Sequence, residues 1–138
     1  MKTTNIFASI LLLFSCLFIF SCTPADLDYK TTTKEFISGS TWTVDYYYAG
    51  QDKTVLYSNY QFSFIGDGTV EGTGGINSFT GTWGMLRDVN RNDVLLINII
   101  SQEPQLSVLN EQWSVTDKSS TIIVMKDDTN CQLRLRKL

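Results

Sequence analysis

Four groups of residues have types and spacings that could do chemistry. Asp88-x-Asn90-x-Asn92-Asp93 places oxygen donors at alternate positions, as a calcium-binding loop does. An EF-hand loop also needs glycine at its sixth position and a bidentate glutamate at its twelfth, where this chain has Asp93 and Ile99. A polar connection between strands is the reading that remains, and no metal site is expected. Asp127-Asp128 joins two carboxylates, but acid–base catalysis needs them in different environments facing one substrate. Adjacent aspartates followed by Thr129-Asn130 instead suit a turn that bonds its own backbone. Gly72-x-Gly74-Gly75 leads into a strand pattern rather than a helix, so it reads as a turn and not a phosphate cradle. Cys131 has no base to activate it, because the chain contains no histidine. That absence also removes Ser-His-Asp and Cys-His catalysis, histidine zinc sites and imidazole switches. With no nucleophile–base pair and no cofactor fingerprint, an enzyme is not expected.

The aromatic residues keep functional promise, and strands must position them. Thr41 to Tyr48 alternates, which predicts Trp42, Val44, Tyr46 and Tyr48 on one face and Thr41, Thr43, Asp45 and Tyr47 on the other. Tyr60, Phe62 and Phe64 alternate with polar residues, and Asp67-Gly68 then signals a tight hairpin turn. The returning strand continues through Val70 and Glu71 until the glycines break it. Phe79, Gly81, Trp83 and Met85 share a face, and Asn98 turned outward directs Leu95, Ile97 and Ile99 inward. Leu106 to Val115 fits a helical turn in its first half or a strand in its second. Ile122 to Met125 is a short apolar strand. The last strand sets Cys131, Leu133 and Leu135 against outward Gln132, Arg134 and Arg136. Beyond residue 22 there are only two alanines against fourteen threonines, a balance that suits strands over helices. About eight short strands at regular spacing predict an all-β antiparallel barrel or sandwich. Eight is also the number at which a closed barrel is either filled by side chains or holds one small ligand. Were it open, Tyr46, Tyr48 and Tyr60 would stand at one rim, with Phe62 and Trp83 below them as ligand-binding walls. Aromatic side chains line small-molecule pockets, but they also fill cores.

The chain of 138 residues allows one core. It is 43% hydrophobic and 18% charged with a net charge of −3, neither basic enough to imply nucleic acid nor apolar enough for a polytopic membrane protein. Lys2 precedes an apolar run from Ile6 to Phe20, shorter than the roughly 20 residues of a spanning helix but right for a signal peptide. Ile19-Phe20-Ser21-Cys22 resembles the bacterial lipobox, which implies cleavage after residue 21 and lipidation, as by palmitate, of Cys22. Cys16 then leaves with the signal, and Cys131 has no partner for a disulfide. Residues 22–35 are the lipidated terminus and a polar linker, and 36–138 the β domain.

Gly39-Ser-Thr-Trp42, Phe64-Ile-Gly-Asp67-Gly68-Thr69, Gly81-Thr82-Trp83 and Leu109-Asn110-x-x-Trp113-x-Val115 occur in that order. Together they resemble the lipocalin-like small lipoproteins of Gram-negative bacteria. The first-strand spacing is Gly-x-x-Trp rather than the Gly-x-Trp of true lipocalins. The resemblance implies an up-and-down barrel of about eight short strands, attached to the bacterial envelope at the outer membrane through its lipid. It also implies a late arginine over the first-strand tryptophan. Arg134 and Arg136 are the candidates, although parity turns both outward. Two functions follow from different classes. One is a binding module for a small apolar or amphipathic ligand. The other is a solid-cored interaction module that docks on an envelope protein or surface polymer.

Overall fold

The computed structural model describes residues 32–75 and 77–138. The signal peptide, Cys22 and most of the linker lie outside them. A short helix α1 (Thr33–Ile37) opens the described chain. Its capping box is complete, with Thr32 accepting from the Glu35 N–H and Glu35 from the Thr32 N–H. Thr33 to Glu35, expected in the linker, therefore belong to the domain. Eight strands follow: β1 (Thr41–Tyr48), β2 (Gln61–Phe64), β3 (Thr69–Gly74), β4 (Asn77–Arg87), β5 (Asp93–Ile100), β6 (Gln112–Lys118), β7 (Ile122–Lys126) and β8 (Gln132–Lys137). Each pairs antiparallel with the next, and β8 closes on β1, so the sheet is an up-and-down barrel. A 3₁₀ turn (Thr54–Tyr57) joins β1 to β2, and α2 (Pro104–Ser107) joins β5 to β6. Up-and-down order puts both at one end, called here the upper, and α1 at the lower.

Alternation decides most of the interior, with one shift of parity. Trp42 and Val44 face inward as expected, but Asp45 is an extra residue in β1, a bulge opposite β8. Asp45 and Tyr46 both point outward, which turns Tyr47 inward (2% exposed) and leaves Tyr48 37% exposed. The expected inward positions of Tyr46 and Tyr48 are thus corrected. Outside the barrel Arg136 bonds Asp45 Oδ1 at 2.7 Å from Nε and Nη2. Arg134 Nε stands 2.5 Å from Oδ2 as an ion pair without hydrogen-bond alignment, and its guanidinium lies 5.5 Å from the centre of the Tyr46 ring. Both arginines are therefore committed away from Trp42. The Trp42 indole meets Phe36 edge-on at 5.2 Å instead, with the ammonium groups of Lys118 and Lys137 over the Phe36 ring. A second bulge at Thr116 bends β6 against β7. Bulges of this kind add the twist and curvature that closure needs.

The recurring motifs have mechanical roles. Gly68 has φ +95°, which a side chain would resist, and Asp67 accepts the Thr69 N–H, so Asp67-Gly68 makes the β2–β3 turn. Gly-Thr-Trp returns to that turn: the Trp83 backbone N–H donates to Gly68 O and its indole N–H to Ile65 O. In Leu-Asn-x-x-Trp, the Leu106 and Leu109 side chains seal the upper end and Trp113 bonds Leu109 O. Asn110 stands in for a strand. Its amide accepts the Ile99 N–H at 2.6 Å and donates to Ile99 O at 3.0 Å where β6 has left β5. The Leu106–Val115 segment is thus helix first and strand after. β3 also runs on through Gly72 instead of breaking there. Gly72 faces inward between Phe62 and Phe79, and any Cβ on it would overlap the Phe79 ring and the Gln61 carbonyl. Cys131 falls just before β8, half-buried, its N–H donated to Asp127.

Candidate functional site

Of the residues expected around a ligand, Tyr60, Phe62 and Trp83 face inward but at different levels. Tyr60 is at the upper end beside Tyr57, and Phe62 is at mid-height against Phe79, with ring centres 5.3 Å apart. Trp83 is lower, edge-on to Phe64 at 5.5 Å. They are 3%, 2% and 6% exposed, and Trp42, Leu95, Trp113, Ile123, Met125 and Leu133 are wholly covered. A chamber able to take a small molecule leaves its walls open to a water-sized sphere. These walls touch one another instead, as close-packed interiors do. The three indole N–H groups donate to backbone carbonyls at chain reversals, which leaves none of them free to meet a ligand.

The upper mouth is closed by a network that spans distant sequence. The Tyr57 hydroxyl donates to Gln105 O at 2.7 Å. The Tyr60 hydroxyl donates to the Glu103 carboxylate, and Gln105 Nε2 donates to both. These bonds fasten α2 across the rim beside the 3₁₀ turn. Burial pushes the Tyr47 phenol up to about 12 and raises Tyr57 as well. Tyr60 is raised by burial first and then by its bond to Glu103. Such phenols stay protonated at ordinary pH and serve as donors. Nothing local in the sequence marks Glu103 or Gln105 as partners of tyrosines more than forty residues away. At the lower end Asp88 accepts the Asn90 and Asn92 N–H groups, both at 2.8 Å, so this carboxylate is occupied by its own loop.

Among the described residues, two open concave surfaces lie on the outside. One groove of about 630 Å³ lies over the outward side chains of β2, β3 and β4, among them Gln61, Ser63, Glu71 and Thr80, and ends at Ile100. A second of about 510 Å³ begins at Thr82 and Asn98 and reaches Gln112 and the Asn110 amide where β6 diverges. Thr80 pairs with Ile100 and Thr82 with Asn98, so the grooves are one pleat apart along β4 and β5. Their shape has a cause inside the barrel. Gly72 and Gly81 face inward with no room for a Cβ, so the wall there sits closer to the core than side chains would allow. The sequence did hold a signal for this wall. No lysine or arginine occurs between Lys53 and Arg87, or between Arg91 and Lys118.

No family model and no curated protein matches the chain. Two solved structures share its fold. A DUF4847-family protein from Bacteroides vulgatus ATCC 8482 superposes with a TM-score of 0.57 at 16% identity, covering 76% of this chain and 96% of its own. A protein from Burkholderia xenovorans, solved by NMR, superposes with a TM-score of 0.52 at 11% identity, covering 76% and 86%. At such identities the likeness concerns the barrel and not its use.

Proposed function

We propose that this protein is a non-catalytic docking module, tethered at the bacterial outer membrane by a lipid on Cys22, which engages its partner through the outside of a solid barrel. The filled interior carries this reading. Among the described residues, Phe62, Trp113 and Met125 are covered, the upper mouth is fastened by Tyr57, Tyr60, Glu103 and Gln105, and two concave surfaces lie on the outer wall. A small apolar ligand held inside would need that network opened and the core displaced. Lipidation rests on the Ile19 to Cys22 pattern. The described chain begins at the lower end with α1, and attachment through acyl chains needs no spanning helix. Mass spectrometry of protein purified gently from its own membranes tests the docking reading. Lipidated chain with nothing inside is the expected mass, and a stoichiometric small molecule overturns the reading. Cys22→Ala should abolish fatty-acid labelling and release the protein from membranes. Undiminished labelling would move the acceptor to Cys16 or remove the lipid altogether.

A further inference from the structure

The outer wall is chemically divided. On β1, β7 and β8 the outward positions include Asp45, Lys126, Arg134 and Arg136. On β2 to β5 hydroxyls and amides line most of the two grooves, with Glu71 the one charged side chain within the first and Leu96 an apolar one in the second. Leu86 and the Arg87–Asp93 ion pair lie at the lower ends of β4 and β5. Antiparallel register lines these groups up in rows across the strands. Ser63, Glu71, Thr80 and Ile100 form one row, and Thr69, Thr82 and Asn98 the next. The two grooves, about 630 and 510 Å³ and one pleat apart along β4 and β5, each have room for a sugar ring. Their groups both donate and accept. Ile100, 72% exposed, gives an apolar contact, and Asn110 uses its amide on Ile99 and so holds the far edge rigid.

Resting on the docking reading above, we propose that the two adjoining grooves on the outside of β2 to β6 bind a neutral polysaccharide. A polyanion finds no ammonium or guanidinium in either groove and meets Glu71 and Glu111. A polycation would meet a single carboxylate in each groove. A protein partner anchored by aromatic or arginine hot spots finds no paired charge within either groove, since the Arg87–Asp93 pair lies outside both linings. A neutral polyhydroxylated chain matches the wall group for group: its hydroxyls exchange hydrogen bonds with threonine, asparagine and glutamine, and the carbon face of a ring lies on Ile100. Each contact is weak, and a repeating polymer compensates by offering many copies.

Native electrophoresis of the full-length protein in detergent, through gels containing dextran, laminarin, mannan or galactan, tests this. Polygalacturonate and heparin serve as charged controls. Retardation by at least one neutral polymer and by neither charged one is expected. The double variant Thr80→Ala/Asn98→Ala should weaken it about tenfold, the loss of two neutral hydrogen bonds. Lys126→Ala on the opposite wall should leave it unchanged. Should the double variant unfold, Gln61→Ala/Ser63→Ala makes the same test on the neighbouring strand. No retardation by any neutral polymer, retardation by the charged ones alone, or retardation indifferent to both double variants overturns the proposal. A photo-crosslinker at position 82 separates the two levels. A cross-linked protein without polymer binding removes the glycan and leaves docking through this wall standing. A small molecule recovered from inside the barrel removes both.

Discussion

Phe62→Ala measures whether the barrel is filled. The ring is 2% exposed and packs on Phe79, while Gly72 beside it supplies no side chain that could move into the space. Truncating a buried phenylalanine costs about 3–5 kcal/mol, more where the surroundings cannot collapse. Glycine in place of a movable side chain on β3 points to the upper part of that range. For a domain of this size the melting temperature should fall by roughly 15–30 °C. Urea unfolding followed by tryptophan fluorescence gives the free energy, with Trp42, Trp83 and Trp113 as internal reporters. A loss under about 1 kcal/mol would mean that Phe62 faces open space, and the packed interior, with the docking reading built on it, would fall.

Three further outcomes follow. Tyr47→Ala should cost about 3–4 kcal/mol, since its ring lies between Tyr57 and Trp113, whereas Tyr46→Ala should cost about 1 kcal/mol or less. The reverse order in chemical denaturation would erase the bulge at Asp45. Asn110→Ala strips the partners from Ile99 N–H and C=O and should cost about 1–3 kcal/mol, with faster hydrogen exchange at the Ile99 amide. Unchanged exchange there would show that water replaces the side chain. The Arg136 hydrogen bond, with Arg134 adding to it, outweighs burial and holds the Asp45 carboxyl below its ordinary value. Its contribution is complete above the unfolded pKa near 4 and lost as pH falls through the lower folded value. Asp45→Asn should therefore remove a stability difference of under about 1 kcal/mol, because both arginines are partly solvated. That difference should shrink as pH falls below about 4, and one that does not shrink has another origin.

Period and turn chemistry, which are local, were readable in the sequence. A period of two placed Phe62, Phe64, Leu95, Ile97, Ile99, Leu133 and Leu135 inside, because a half-buried strand can satisfy only one face. Asp67-Gly68 was legible because one glycine conformation makes the turn. Other features depend on groups that meet only once the sheet closes. The Asp45 bulge exists because β8 brings Arg134 and Arg136 alongside β1, and alternation alone could not see the parity change that exchanged Tyr46 and Tyr48 for Tyr47. Gly72 looked like a strand end. In the barrel it is a continuation, since Phe79, on the next strand, occupies the space its side chain would need. Whether the aromatic interior is a pocket or a core was beyond the sequence for the same reason. It depends on whether the ends are shut, and the residues that shut the upper one, Tyr57 and Tyr60 against Glu103 and Gln105, lie more than forty positions apart in the chain and touch only in three dimensions.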